Sequence, residues 1–479
     1  VRLPRKTIRK ARFMSRHQSA LTTVVLVYRD TYCASWAETF RCIISFVTGV
    51  LLTTAVCAQQ VQDPSPADPK PQELSRDASR IYAGAKGSLF QVRILTATGR
   101  SQAAAGSGFV VSSDGLAITN YHVVSKLVVD PSRYVAEAVS TAGERDDITV
   151  LKIDVLHDLA LIRINKRRDW PPLRISSRSL KQGERLYSLG NPLDLGFAIS
   201  EGSFNGLITR PYYPQILFSG AINSGMSGGP AVDESGEVVG VNVSKRLDGE
   251  QISFLVPAQF VSLLIDQGAA ITVQPTQQEF RSEIGRQLTL HQSTMADQLL
   301  KAPLATRAMG PYAAPINERQ GIRCWGDDPN QPQLKYYYSR LHCRTESVVG
   351  VEDSVRTGFI NVRHEYFATK QLDSFRFLQI YSKAYKNETF GNYRDRHWTG
   401  PECNDAFVRG EGAASVPVRA VVCVRALRKF EGLYEFALMA ATVDESRSGL
   451  HTRMDASGVT LENGQRIVKA FLDAIGRQP

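Results

Sequence analysis

Asn223-Ser224-Gly225-Met226-Ser227-Gly228-Gly229-Pro230 sets one serine between glycines on both sides. Glycines there let the backbone adopt positive φ and pass close to a neighbouring chain. A serine hydroxyl is a weak nucleophile at neutral pH. It reacts when an imidazole accepts its proton and a carboxylate fixes the imidazole tautomer. Both partners lie upstream, His122 in Thr119-Asn120-Tyr121-His122-Val123-Val124 and Asp158 in His157-Asp158-Leu159-Ala160-Leu161-Ile162. Taken singly they would be a glycine turn, a packed histidine and a surface charge. Taken together they point to nucleophilic catalysis, with Ser227 as nucleophile, His122 as general base and Asp158 as the orienting carboxylate. Asp154 is the second-choice acid, and His157 is expected on the opposite strand face as a packing residue.

The order His, Asp, Ser and the flanking blocks resemble the trypsin-like serine proteases, most closely the HtrA (Deg) branch. The resemblance runs from about Ala83 to about Leu264. It includes Gly106-Ser107-Gly108-Phe109-Val110-Val111 ahead of His122 and Leu189-Gly190-Asn191-Pro192-Leu193-Asp194-Leu195-Gly196. It continues through Gly236-Glu237-Val238-Val239-Gly240-Val241-Asn242 and Ile252-Ser253-Phe254-Leu255-Val256-Pro257. It implies an all-β double barrel (chymotrypsin-like) followed here by a smaller α+β C-terminal domain. The triad would sit between the barrels, and the amides of Gly225 and Ser227 would form an oxyanion hole.

At Met226 trypsin has an aspartate that pairs with its new N-terminus, and the HtrA branch usually has asparagine. Methionine can do neither, so activation by such an ion pair is not expected. Substrate-binding positions implied by the resemblance are Ala221 and Ile222, six and five residues before the serine, with Asn242, Val243 and Ser244 on the strand that pairs with substrate. No carboxylate stands among them, which favours small or medium apolar side chains over Lys or Arg before the scissile bond. No cofactor and no metal is called for.

The formal net charge is +10, but residues 1–58 hold nine basic and two acidic residues, a net +7, leaving about +3 for the rest. Charge therefore gives nucleic-acid binding little support. Cys42 to Ala58 is an uncharged apolar run after Arg41, ending in Val56-Cys57-Ala58. It is expected to be an export signal cleaved after Ala58; the alternative is an uncleaved anchor in the inner membrane, the one way a membrane partner would enter. An exported protein, periplasmic or secreted, follows. Of seven cysteines, Cys33, Cys42 and Cys57 fall in that region and four remain. An even set in an oxidising compartment suggests two disulfides. Cys324–Cys343 and Cys403–Cys423 close short loops and are the preferred pairing of three; a zinc site lacks Cys-x-x-Cys spacing.

The expected division is a signal or anchor over 1–58, a Pro- and Gln-rich linker over 59–77, a protease domain over 78–270, a polar connector over 271–311 and an α+β accessory domain with disulfides over 312–479. Short β-branched runs such as Leu89 to Leu95 and Leu159 to Ile164 suit antiparallel barrels. In the accessory domain, Lys335 to Arg340, Arg356 to Ala368, Phe375 to Ser382, Val416 to Leu427 and Leu433 to Val443 are expected strands, and Gln465 to Ile475 a helix. It carries no carboxylate-binding loop of the kind found in the PDZ domains that usually follow HtrA proteases. Tyr336-Tyr337-Tyr338 and Trp398 are expected as sheet and core residues. The function implied is an exported serine endopeptidase acting on protein or peptide substrates. The competing view is a catalytically silent protease scaffold that binds through its C-terminal domain, and an esterase would use the same triad. Oligomeric state is not legible.

Overall fold

The computed structural model describes residues 76–478 apart from 167–169, 210, 246–251, 317–320, 329–331, 353–354, 387–389, 391–394 and 413. The expected signal, almost all of the linker, Cys33, Cys42, Cys57 and the Arg167-Arg168 pair lie outside the described residues. The chain enters through helix α1 (Arg76–Ala85), which buries Ala78, Ile81 and Ala85 on one face. Six strands follow: β1 (Leu89–Thr96), β2 (Gln102–Val110), β3 (Leu116–Thr119), β4 (Tyr134–Ser140), β5 (Arg145–Asp154) and β6 (Leu159–Ile164). They close into an antiparallel barrel in the order β1-β2-β3-β6-β5-β4, with helix α2 (Tyr121–Val129) between β3 and β4.

The second barrel comprises β7 (Arg185–Gly190), β8 (Ala198–Ile208), β9 (Gln215–Phe218), β10 (Pro230–Val232), β11 (Val238–Lys245) and β12 (Ser253–Pro257), closed as β10-β11-β12-β9-β8-β7. Closure leaves no free edge in either sheet. Helix α3 (Ala258–Gly268) ends this part. The double barrel expected from the sequence is thus present.

The connector holds helix α4 (Gln277–Leu300), started by a reciprocal cap between Thr276 and Glu279. Its glutamines do structural work. Gln287 is buried, donates to the Ile153 carbonyl at 2.9 Å and accepts from the Val155 amide at 2.8 Å. Gln292 accepts from the side-chain amide of Asn463 at 2.9 Å. One helix therefore bonds to the first barrel and to the C-terminal part.

That part opens with β13 (Ala305–Met309) and β14 (Tyr312–Ile316). Next come β15 (Ile322–Asp327), β16 (Tyr336–Thr345), β17 (Val349–Glu352), β18 (Val355–Thr357) and β19 (Phe359–Thr369), then helix α5 (Ser374–Lys386). It ends with β20 (Glu402–Arg409), β21 (Pro417–Ala426), β22 (Tyr434–Thr442), β23 (Ser448–Val459), helix α6 (Leu461–Ala474) and β24 (Gly476–Arg477). Seven strands form one antiparallel sheet in the order β15-β16-β19-β23-β22-β21-β20, β13-β14-β24 form a small sheet, and β17-β18 a hairpin. Residues alternate between the sheet faces. On β19, Ile360, Val362 and Tyr366 join the core under α6, while Phe367 on the other face meets Phe377 and Tyr381 of α5.

The segment Phe375 to Ser382, expected as a strand, is helical. Phe377 and Tyr381 are four apart and are its buried positions, whereas Phe375 is 79% exposed. Asp373 accepts the Arg376 amide at 2.9 Å and caps the first turn. β20 and β23 were not among the expected strands. Both disulfides, Cys324–Cys343 and Cys403–Cys423, are present between directly opposed residues. They tie β15 and β20, the two edge strands, to their neighbours.

Candidate active site

Asn120 precedes α2, and its side chain donates to the Asp158 carbonyl at 2.8 Å, while the Tyr121 amide donates to that carbonyl at 3.1 Å. Asp158 sits at φ +56 in the turn before β6, a left-handed conformation that aspartate tolerates better than most residues. Its carboxylate is aimed at α2. Oδ1 accepts the His122 amide at 2.8 Å and Oδ2 lies 2.6 Å from His122 Nδ1. One carboxylate thus satisfies a free amide in the first turn of the helix and fixes the ring on its second residue. The negative charge there is also favoured by the helix dipole.

Ser227 is brought to this helix by close backbone approach. Gly228 has φ +85, and a Cβ there would lie 2.3 Å from the Ser107 carbonyl and 2.8 Å from the Asn120 amide nitrogen. The Ser227 carbonyl accepts the Ser107 amide at 2.8 Å, and its hydroxyl donates to the Val243 carbonyl at 3.3 Å.

The direction of the Gly225 amide is set by the preceding peptide. The Ser224 carbonyl accepts from the Leu193 amide at 2.8 Å. In a trans peptide the following N–H points the opposite way, so the Gly225 amide faces away from Leu193. The Gly225 carbonyl accepts from Ser107 Oγ at 2.7 Å. Among the described residues, neither the Gly225 nor the Ser227 amide donates to a backbone carbonyl. Gly225 has φ +93, and a Cβ there would stand 2.4 Å from the Asn191 carbonyl. Gly225→Ala must therefore shift the loop, and a fall of about 10²–10³ in kcat is expected from loss of one aligned donor. Steady-state kinetics on a peptide substrate, with thermal unfolding alongside, would read it; an unchanged kcat would remove the Gly225 amide from the chemistry.

Met226 is 2% exposed among Leu186, Phe218 and Ile222 in the second-barrel core. Its side chain holds the loop by packing. Ile222 shares that core at 3% exposure, so its side chain does not line an open pocket, while Ala221 is exposed. Asn242 is fully buried. It accepts from Ser188 Oγ at 2.8 Å and donates to the carbonyls of Leu189 at 2.9 Å and Met226 at 3.3 Å. It supports the serine loop from below. Val243 lies at an irregularity between β11 and β12 and borders the cavity beside His122. The Ser244 side chain lies outside the described residues. Asp154 pairs with His157 at 2.7 Å, and His157 stacks on Phe260, so neither serves His122. No cluster of metal-ligating side chains occurs among the described residues.

Ser107 and Tyr121 carry no motif signal of their own. Ser107 joins the barrels, since its hydroxyl also accepts the Asn191 amide at 2.9 Å. Tyr121 is buried and donates to the Val351 carbonyl of β17 at 2.7 Å. Burial, then the charges of Glu352 and Asp158, push its phenol well above the usual range, so it stays a donor. The hairpin β17-β18 thereby touches the helix that bears His122. It also walls a cavity of about 480 Å³ that includes His122, Asp158 and Val243.

Two closed six-stranded barrels with this serine loop define a trypsin-like serine protease domain, and residues 106–241 match the family described as Trypsin-like peptidase domain. Within that class this part of the chain is similar to proteases of the HtrA branch. It is 32% identical over 218 residues to the "Probable periplasmic serine endoprotease DegP-like" of Bartonella henselae, covering 42% of each chain. It is 34% identical over 173 residues to "Serine protease HTRA2, mitochondrial" of Bos taurus, covering 34% of this chain and 36% of that protein. The chain thus spans about two fifths of the length of the curated relatives it matches. A solved M. tuberculosis protease in its active form aligns with 22% identity and a TM-score of 0.36, over 41% of this chain and 87% of that one.

Proposed function

We propose that the protein is an exported serine endopeptidase. Ser227 attacks the peptide carbonyl as His122 takes its proton, and the amides of Gly225 and Ser227 hold the oxyanion. His122 then protonates the leaving amine, and water repeats the sequence on the acyl-enzyme. The observation that carries this is the double engagement of Asp158 with His122, which fixes the ring with Nδ1 on the carboxylate. In this proposal residues 78–270 are the protease domain and 312–479 an accessory domain. Export is supported by the apolar N-terminal run, by the disulfides and by relatives named periplasmic; among the described residues no helix is long and apolar enough to cross a membrane.

A fluorophosphonate probe tests the reading, because an activated serine displaces its fluoride and becomes phosphonylated, whereas an ordinary serine does not. Wild type is expected to label and Ser227→Ala not to. Absence of labelling in wild type at any pH from 5 to 9 would leave the silent binding scaffold in place.

A further inference from the structure

The cavity beside His122 does not end at the barrels. It shares Pro211, Phe254, Val348 and Arg356 with a second hollow of about 1070 Å³, and that hollow shares Arg344 and Asn361 with a third of about 400 Å³. The three run from His122 and Asp158 onto the face of the seven-stranded sheet opposite α6.

The charges along this path are unusual. Arg323 of β15 and Arg344 of β16 stand directly opposite one another, and Asn361 of β19 continues the row. Like charges directly opposed in a sheet repel. Yet among the described residues neither arginine makes an ion pair, and Arg356, which borders both of the first two hollows, makes none either. All three are exposed. Arg344 lies over the Trp325 ring at 5.0 Å, which orients it without neutralising it. Of the carboxylates that line the second hollow, Glu435 pairs with Arg425 and Asp395 accepts the His397 amide at 2.8 Å. Arg323, Arg344 and Arg356 thus face the hollow as cations that no ion pair within the described residues neutralises.

We propose that this open sheet face, entered from the catalytic cavity past Arg356 and lined by Arg323 and Arg344, is an exosite for an acidic segment of the polypeptide substrate. The inference rests on the peptidase reading. It makes the accessory domain a specificity element: the segment flanking the cleaved bond lies across the sheet, and its carboxylates pair with the arginine forks. Because the site is solvated, its contribution falls as salt rises.

The test separates the exosite from the triad. Full-length wild type is given peptides sharing one cleavable core and carrying Asp/Glu, Ser/Gly or Lys/Arg flanks on either side. The acidic flank on one side is expected to raise kcat/KM roughly tenfold over the neutral one at low salt. Arg323→Glu/Arg344→Glu is expected to erase that preference while the fluorophosphonate labelling rate stays unchanged. If charge reversal impairs folding, Arg323→Gln/Arg344→Gln gives the same comparison. Binding of a fluorescein-labelled acidic peptide to full-length Ser227→Ala, read by anisotropy, tests the exosite even if the wild-type serine never labels. Equal kcat/KM for acidic and neutral flanks, or equal peptide binding by Ser227→Ala with and without the arginine changes, overturns the proposal. Tighter binding of single-stranded DNA than of the acidic peptide at the same salt also overturns it.

Discussion

Asp158→Asn is expected to lower kcat about 10⁴-fold without unfolding the protein. The reason lies in the two contacts of one carboxylate. Oδ1 accepts the His122 amide and Oδ2 faces His122 Nδ1. An asparagine must leave its carbonyl oxygen on the amide, because that N–H needs an acceptor. Its NH₂ then faces Nδ1 as a donor, and Nδ1 must become the acceptor. The single proton of the neutral ring moves to Nε2, the nitrogen that should receive the serine proton. The ring stays in place with the wrong tautomer. A 10⁴-fold loss corresponds to about 5.5 kcal/mol of barrier. Asp154→Asn is the control, because Asp154 serves His157, and its kcat should stay within a few-fold of wild type. Both are read from single-turnover acylation and steady-state kinetics at pH 7.5, with circular dichroism as the folding check. A kcat for Asp158→Asn within tenfold of wild type would remove Asp158 from the orienting role.

The candidate serine, histidine and aspartate stand out in the sequence because each sits in a short motif whose meaning is local. Gly225 and Gly228 declare backbone geometry, and the barrel strands read as short apolar and β-branched runs bounded by turn residues. What stayed hidden depends on contacts distant in the chain. Asn242 and Ile222 occupy the positions expected to meet substrate, but their burial is decided when β7 to β12 close into a barrel. Phe375 to Ser382 has aromatics that fit either period, and only the Asp373 cap and the floor provided by Phe367 select a helix. The connector looked like a polar linker because Gln287 and Gln292 are polar, yet they are buried by pairing with backbone and side-chain groups of two other regions. The contact of Tyr121 with Val351 joins residues 230 positions apart. No local pattern could show that the β17-β18 hairpin walls the cavity beside His122.

That dependence gives the second large effect, a loss of stability in mild acid centred on the accessory sheet. His364 is fully buried, with Nε2 donating to the Pro315 carbonyl at 2.6 Å and Nδ1 2.9 Å from Thr452 Oγ1. His451 is 7% exposed, its ring centroid lies 4.1 Å from that of Tyr381, and its Nε2 has no hydrogen-bond partner among the described residues. Burial holds both well below the usual value of 6.5, down to about 4. In the unfolded chain both take a proton near 6.5, whereas in the fold they refuse it until about 4. The unfolded state therefore binds more protons across that window, and stability falls as pH falls through it. By pH 5 the loss is about 2 kcal/mol for each histidine. Carboxylates act in a lower window: at Glu283 burial works upward, but hydrogen bonds from Arg286 and Gln287 and the Lys152 charge win, leaving it at about 2. Urea midpoints at pH 7.5 and pH 5 should separate accordingly. His451→Phe keeps a ring among Phe367 and Tyr381 and removes both the titration and the unpaired nitrogen, so it should narrow the difference, the remainder coming from His364 and from His291 and His342, which burial also lowers. Because β17 holds the helix of His122, kcat should decline reversibly over the same interval. A urea midpoint that does not move between pH 7.5 and 5, or one that moves equally in His451→Phe, would show that these buried rings are not what makes the fold acid-sensitive.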